Sequence, residues 1–223
     1  MELVLVRHGE PQWVKDGRNV DNPQLSELGH RQAASTAAVL GRESFDEVLV
    51  SPLDRAQQTA APIIEALGVE ATTTGWLEEI QNPEWEGTDH DVQRIFSDAR
   101  RRPAEAQWEG LPGGESFRQF HVRIVAGLTT LLSRNGVTAR DGDLPRWDVA
   151  DPQRRILVVA HAGTNSVILA HLLGVVPVPW EWERFVLYHA SISRTQPLVI
   201  ADGYSFGLMR LSDTCHLGEM LTF

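Results

Sequence analysis

The 223-residue chain has one cysteine, Cys215, so no disulfide can form within it. A chain of this length buries a sizeable core without such staples, and a lone thiol fits a reducing compartment. No run approaches the roughly 20 apolar residues that span a bilayer. The opening apolar run is short and has no basic stretch before it, unlike a secretory leader. We therefore expect a cytoplasmic protein with no membrane partner. Positive charge is also scarce. Twenty Lys and Arg against 30 Asp and Glu leave a net charge of −10, with a pI of about 5.2. That balance disfavours a nucleic-acid partner, and any anion site must be a local gathering of Arg and His against the overall field. There is no internal repeat and no low-complexity segment. No His, Cys, Asp or Glu cluster has metal-ligand spacing, so neither metal nor cofactor is expected. The composition, 42% hydrophobic and 22% charged, is that of a globular protein.

What the chain does have is a pattern of strand ends. Leu3 to Val6 form an apolar run that reads as a buried strand. It stops on Arg7-His8-Gly9-Glu10, and Gly9 allows the backbone to turn and come close to a ligand. In open α/β sheets, ligands sit at the carboxyl ends of the strands. Residues 11–24 read as loop. Ser26 is a good N-cap for a helix ending by Gly41. Glu47 to Val50 form a second strand, ending at Ser51. Pro52 then opens a helix that closes at Gly68, with Arg55 in its first turn, where free N–H groups favour anions. A third unit repeats the logic. The strand Ile156 to Ala160 ends on His161-Ala162-Gly163, and a helix follows from Thr164 to Leu173. Two histidines each close an all-apolar strand. The other six, His30, His90, His121, His171, His189 and His216, lack that context and read as structural or surface residues.

Between these units the reading is coarser. Val69 to Thr74 are expected as a third strand, residues 91–107 as a helix, and Leu111 to Phe117 as a turn into a long helix that runs to about Arg134, with Glu115 and Ser116 in its first turn. Val137 to Arg154 read as a surface loop. Phe185 to Leu187, Ile192 to Thr195, Leu198 to Ala201 and Phe206 to Leu211 read as short strands, partly antiparallel. Residues 77–87 hold four glutamates, one of which would suit a proton donor to a leaving alkoxide. Arg7, His8, Arg55 and His161 together make an anion pocket at one sheet edge. Arg suits phosphate oxygens, and a histidine held in one tautomer can be a nucleophile. Phosphoryl transfer asks mainly for positioning and charge stabilisation.

The segments LVRHGE, LSELGHRQA, SPLDRAQQTA, LEEI…WEG, PGGES and VVAHAG occur in the order seen in the histidine phosphatase superfamily, in its phosphoglycerate-mutase-like branch. The resemblance runs from Leu3 to about Gly174. It implies one domain over 1–223, a three-layer α/β/α sandwich with a mostly parallel sheet and a small cap inserted at about 76–115. It also implies catalysis by His8, Glu79 and His161, with phosphate bound by Arg7, Arg55, His161 and Ala162. Glu79 is the acid by this match and Glu78 its alternative. Pro11 and Val14 depart from the family's usual Thr and Asn, and Asn82-Pro83-Glu84 displace a usual Gly. Asn165 either reaches the substrate or belongs to the helix's first turn.

The implied activity is a metal-independent phosphatase of small phosphorylated metabolites, working through a phosphohistidine. A mutase-type transfer is the rival, and Glu79-Ile80-Gln81-Asn82 lacks the stretch typical of the mutases. A non-catalytic phospholigand-binding member is the more distant alternative. Tryptophans 76, 85, 108, 180 and 182 are read either as walls for a leaving group or as core. The VVPVPW segment, residues 175–180, is the candidate contact of a homodimer.

Overall fold

The computed structural model describes residues 1–15, 18–83 and 89–223. In chain order the strands are β1 (Glu2–Arg7), β2 (Val14–Lys15), β3 (Arg18–Asn19), β4 (Glu47–Val50), β5 (Thr72–Thr73), β6 (Val137–Ala139), β7 (Trp147–Val149), β8 (Arg155–Ala160), β9 (Ile192–Ile200) and β10 (Gly203–Asp213). The helices are α1 (Glu27–Leu40), α2 (Asp54–Leu67), α3 (Asp89–Arg100), α4 (Ala104–Gln107), α5 (Phe117–Arg134), α6 (Ala162–Leu172) and α7 (Glu181–Arg184). Eight strands form one sheet in the order β5-β4-β8-β1-β9-β10-β7-β6, and β2 pairs with β3 apart from it.

The central strands are apolar between their ends because both faces of the sheet are covered. Leu3 and Leu5 of β1, with Ile156 and Val158 of β8, pack against Phe120, Ile124 and Leu128 of α5 and Ile168 of α6. Val4 and Val6, with Leu157 and Val159, pack on the other face against Ala37 and Leu40 of α1 and Ala60 and Ile63 of α2. Helix α6 is buried along nearly its whole length, apolar from Val167 to Ala170 and with Thr164, Asn165 and Ser166 buried in its first turns. Helix α5 instead buries one stripe, and its start is fixed by a capping box between Ser116 and Gln119.

The expectation of a mostly parallel sheet is corrected. The pairs β1·β8, β4·β8 and β4·β5 are parallel, whereas β1·β9, β9·β10, β10·β7 and β6·β7 are antiparallel. The connection after α6 carries the chain back to the carboxyl edge of the parallel strands, so β9 starts with Ile192 beside Val6 and runs down against β1. Strand β9 runs unbroken through Pro197 where two short strands were expected, and it joins β10 through a tight turn with Ala201 at φ 51°. The expected loop at 137–154 contains the β6–β7 hairpin. Its polar composition conceals an alternation in which Trp147 and Val149 point inward and Asp148 outward. The expected third strand shrinks to Thr72–Thr73, and the helix over 91–107 divides into α3 and α4 at Pro103. Phe185 to Leu187 form no strand but continue from α7. Glu84, Trp85 and Glu86 lie outside the described residues.

The loop after β1 is pressed onto α1. An added Cβ at Gly9 would lie 2.6 Å from the Gly29 carbonyl oxygen, and one at Gly29 would collide with the Glu10 carbonyl. The use of Gly9 is thus close approach to α1. Ser26 Oγ caps α1 at Gly29 N (3.0 Å) and donates to Glu10 Oε1 (2.8 Å), which fastens the same junction from the side. Gly29→Ala is expected to destabilise the fold by about 2 kcal/mol, the scale of overpacking, while Gly68→Ala meets open space but keeps a left-handed φ of 65° and should cost less, about 1 kcal/mol. Urea unfolding of the two variants checks the order.

Candidate active site

Three parallel strands end side by side and deliver the site. His8 N donates to Ala160 O (2.9 Å) and Ser51 N to Val159 O (3.0 Å), so the ladder carries on one residue past β1 and β4. His8, Ser51 and His161 therefore sit at one sheet edge, with the His8 and His161 ring centroids 5.1 Å apart. Both imidazoles are buried. His8 Nδ1 lies 2.7 Å from Gly9 O. A carbonyl can only accept, so Nδ1 carries the proton and Nε2 keeps its lone pair. Gly9 is fixed in turn by its N–H to Thr59 Oγ1 (2.9 Å), and Thr59 donates back to Arg55 O (2.6 Å). The loop that sets the His8 tautomer is thus tied to the helix that carries Arg55.

Arg55, in the first turn of α2, is buried, with Trp13 stacked 5.1 Å from its guanidinium. Among the described residues its Nε and Nη1 have no hydrogen-bond partner, nor has Arg7 Nε. Buried N–H groups are normally paired, and three unsatisfied guanidinium nitrogens around one imidazole suit an oxyanion. Arg7 is held by Nη1 donating to Leu187 O and Nη2 to His189 Nε2 (2.9 Å). Burial pulls both arginines down to about 10, against the opposing charge of Glu79, so both remain cationic at neutral pH. Burial first, and then the neighbouring cations, holds His8 and His161 well below the ordinary histidine value. His161 Nε2 meets Ser51 Oγ at 2.7 Å. With Ser51 as donor, the unpartnered Nδ1 of His161 bears the proton and can face an anion.

Of the two candidate acids, Glu79 is the one that turns inward. Its Oε2 accepts from Gly163 N (2.8 Å) and its Oε1 from Thr164 N (3.2 Å), at the N-terminus of α6, whose first residue is Ala162. The Glu78 carboxylate accepts instead from Gln81 Nε2 at the surface. Asn165 is fully buried in the first turn of α6, with its N–H on His161 O. Trp76, Trp108 and Trp182 pack against the core, so they are not free walls of a pocket. Trp13 and Phe223, by contrast, stand over Arg55 and Arg7.

Two parts of the site escaped the sequence. Arg123 of α5 donates to the carbonyls of Trp76 and Glu78 (both 3.1 Å) and makes a two-pronged pair with Glu115 (2.9 and 2.7 Å). Glu115 N also donates to Gln81 O (2.7 Å), so this pair clamps the segment presenting Glu79 from both sides. His189, read as structural or surface, is buried with its ring 5.6 Å from His8. Arg123 has no local sign beyond a glutamate, Glu115, just ahead of the start of its helix, and nothing local marks His189.

A buried imidazole with a free lone pair, ringed by guanidinium donors at the strand ends of an α/β sheet, is the equipment of an enzyme for phosphoryl groups. Residues 3–199 match the histidine phosphatase superfamily (branch 1), and the chain belongs to that family. It is 30% identical over 223 residues to phosphoserine phosphatase 1 of Hydrogenobacter thermophilus, covering 98% of this chain and 95% of that one. It is 31% identical over 182 residues to glucosyl-3-phosphoglycerate phosphatase of Mycobacterium tuberculosis, covering 80% and 78%. A solved structure of mycobacterial glucosyl-3-phosphoglycerate phosphatase with VO3 superposes with a TM-score of 0.72 at 27% identity, covering 96% and 99% of the two chains. The protein is a phosphatase of this superfamily, a phosphoric monoester hydrolase. Among the described residues, no helix is long and apolar enough to cross a membrane.

Two outcomes follow from the site's electrostatics and its clamp. His8, His161 and His189 have folded pKa values below the unfolded one, so at acid pH the native state binds fewer protons than the unfolded chain. Their contribution to stability is complete above about pH 6.5 and is lost as pH falls, at about 1.4 kcal/mol per pH unit for each. For His189 the loss continues down to about 3. Urea unfolding between pH 7 and 5 should fall less steeply in His161→Gln than in the wild type, and equal slopes would mean an ordinary histidine. Arg123→Met should lower kcat on alkyl phosphates by about 100-fold through misplacement of Glu79, with a smaller loss on an activated aryl phosphate, as steady-state kinetics would read.

Proposed function

We propose that the chain hydrolyses phosphate monoesters through a phosphohistidine on His8, without a metal. The observation that carries this reading is the Nδ1–H of His8 on Gly9 O, which leaves Nε2 free beside the unsatisfied N–H groups of Arg7 and Arg55. In the first step Nε2 attacks phosphorus and the bond to the ester oxygen breaks. Glu79 gives its proton to that leaving oxygen. In the second step water attacks phosphorus, Glu79 takes the water's proton, and the bond to Nε2 breaks, returning His8 and releasing phosphate. Arg7, Arg55, His161 and the α6 N-terminus at Ala162 hold the three non-bridging oxygens and stabilise their charge. The substrate is a small phosphorylated metabolite. Residues 76–115 serve as the cap over the sheet edge in this reading, with Trp76 and Trp108 anchoring it to the core. The single exposed cysteine is compatible with a cytoplasmic setting.

The test is hydrolysis of an aryl and an alkyl phosphate in EDTA, with acid-quench trapping of labelled protein. His8→Ala should lose at least about 1000-fold in kcat, the scale for removal of a covalent nucleophile, together with the acid-labile label. Glu79→Gln should lose most on the alkyl ester, where the leaving group needs the proton, and least on the aryl ester. Full activity in His8→Ala, or loss in EDTA that a divalent metal restores, would overturn the reading. Transfer of label to an added hydroxylated acceptor in preference to water would mark the mutase-type alternative.

A further inference from the structure

His189 has no part in the two steps above, yet it is the third buried imidazole of the site. Its Nε2 lies 2.9 Å from Arg7 Nη2 and its Nδ1 lies 3.0 Å from Thr222 Oγ1. Its own N–H donates to Thr222 O at 3.0 Å. A guanidinium can only donate, so Nε2 must be the acceptor, and the ring proton is on Nδ1, directed at the threonine hydroxyl. The turn that aims the ring is unusual. Ala190 adopts a left-handed φ of 54°, a conformation that residues with a side chain avoid. Its N–H donates to His8 O (3.0 Å), and its carbonyl accepts from Thr36 Oγ1 (3.2 Å). The surroundings keep the arrangement: Gln32 Nε2 donates to Met220 O (2.6 Å) and Thr222 Oγ1 (2.9 Å), and Phe223 stands 5.7 Å above the Arg7 guanidinium.

We propose that His189 is a positioning residue: a neutral, Nδ1-protonated imidazole that sets the Arg7 guanidinium for the phosphoryl group and is itself oriented by Thr222. The proposal rests on the phosphoryl-binding reading of the site. Two hydrogen bonds, to Leu187 O and His189 Nε2, fix the plane of the fork and leave Arg7 Nε–H for an oxyanion. A carboxylate in place of His189 would pair with Arg7 and cancel the charge the substrate needs, whereas a neutral acceptor orients the cation and leaves its charge available. Burial, with the charges of Arg7 and Arg55, holds the ring down to about 3, so it stays an acceptor across the working range. The groups facing it are all cationic or neutral: Arg7, Arg55 and His8.

The test uses the full chain with an aryl phosphate as substrate and inorganic phosphate as competing ligand. His189→Ala should raise both KM and the inhibition constant of phosphate by about tenfold, the scale of one hydrogen bond to a charged group, and lower kcat with them. His189→Asn restores an acceptor oxygen and should recover most of that loss, with a melting temperature close to that of His189→Ala. Unchanged phosphate affinity in His189→Ala, or equal loss in both variants, would overturn the proposal. Should neither variant fold, histidine side-chain nitrogen NMR of the wild type decides. An Nδ1–H tautomer for His189 that persists to pH 5 is expected, and an Nε2–H tautomer would overturn the proposal because it cannot accept from Arg7. The wild type's own turnover and its trapped label on His8 report on the hydrolysis mechanism separately, so failure of one reading is distinguishable from failure of the other.

Discussion

The constraint on which the rest of the structure depends is the withdrawal of two guanidinium groups from water with one carboxylate in common. Glu79 faces both Arg7 and Arg55, and Asp54 adds to Arg55 alone. Every other group nearby is chosen to avoid a second full neutralisation. His8, His161 and His189 are kept uncharged, since protonating any of them would add repulsion to a pocket already positive. The remaining contacts of Arg7 are a carbonyl and a neutral ring nitrogen, which orient the cation without cancelling it. In the proposed reaction a phosphate dianion supplies the missing charge. In a chain of net charge −10 the positive charge of this pocket is local, and the low dielectric of its buried walls strengthens its pull on an anion.

The scaffold serves this electrostatic arrangement by supplying ends. Three parallel strands, β4, β8 and β1, terminate together and leave Ser51, His161 and His8 in a row. Helices α2 and α6 begin at the same edge, one bearing Arg55 and the other offering its first N–H groups to Glu79. The antiparallel half of the sheet has a different task. By pairing β9 against β1 it returns the chain to the site from the opposite direction, and Ala190 and Ser191 bond directly to His8 and Arg7. The carboxylate arrives from a third quarter, on a segment whose backbone is gripped by Arg123 and Glu115.

What was legible in the sequence was local. The runs at Leu3 to Val6 and Ile156 to Ala160 are apolar without break, and the polar residue that stops each one is a site residue. Arg55 was visible because Ser51 and Pro52 mark a strand-to-helix turn. His189 was not, because its place depends on a left-handed alanine and on a strand pairing between residues about 190 positions apart in sequence. Arg123 was hidden for the same reason: the carbonyls it grips lie 44 to 47 residues earlier. The β6–β7 hairpin was concealed by composition, since each strand has three residues and its apolar face rests on Val137, Trp147 and Val149. Glu79 and Glu78 are neighbours in a loop, and no periodicity distinguishes them. The contact with α6 does.

That contact also assigns a meaning to Gly163. Its backbone is not left-handed, so no turn requires glycine there. A Cβ at that position would lie 2.5 Å from Glu79 Oε1. The missing methyl is the volume in which the carboxylate sits. Positions 79 and 163 are therefore one character written in two places, 84 residues apart. A chain that lost the glutamate would release the glycine from this constraint, and a side chain at 163 would force the carboxylate out of the space it now fills.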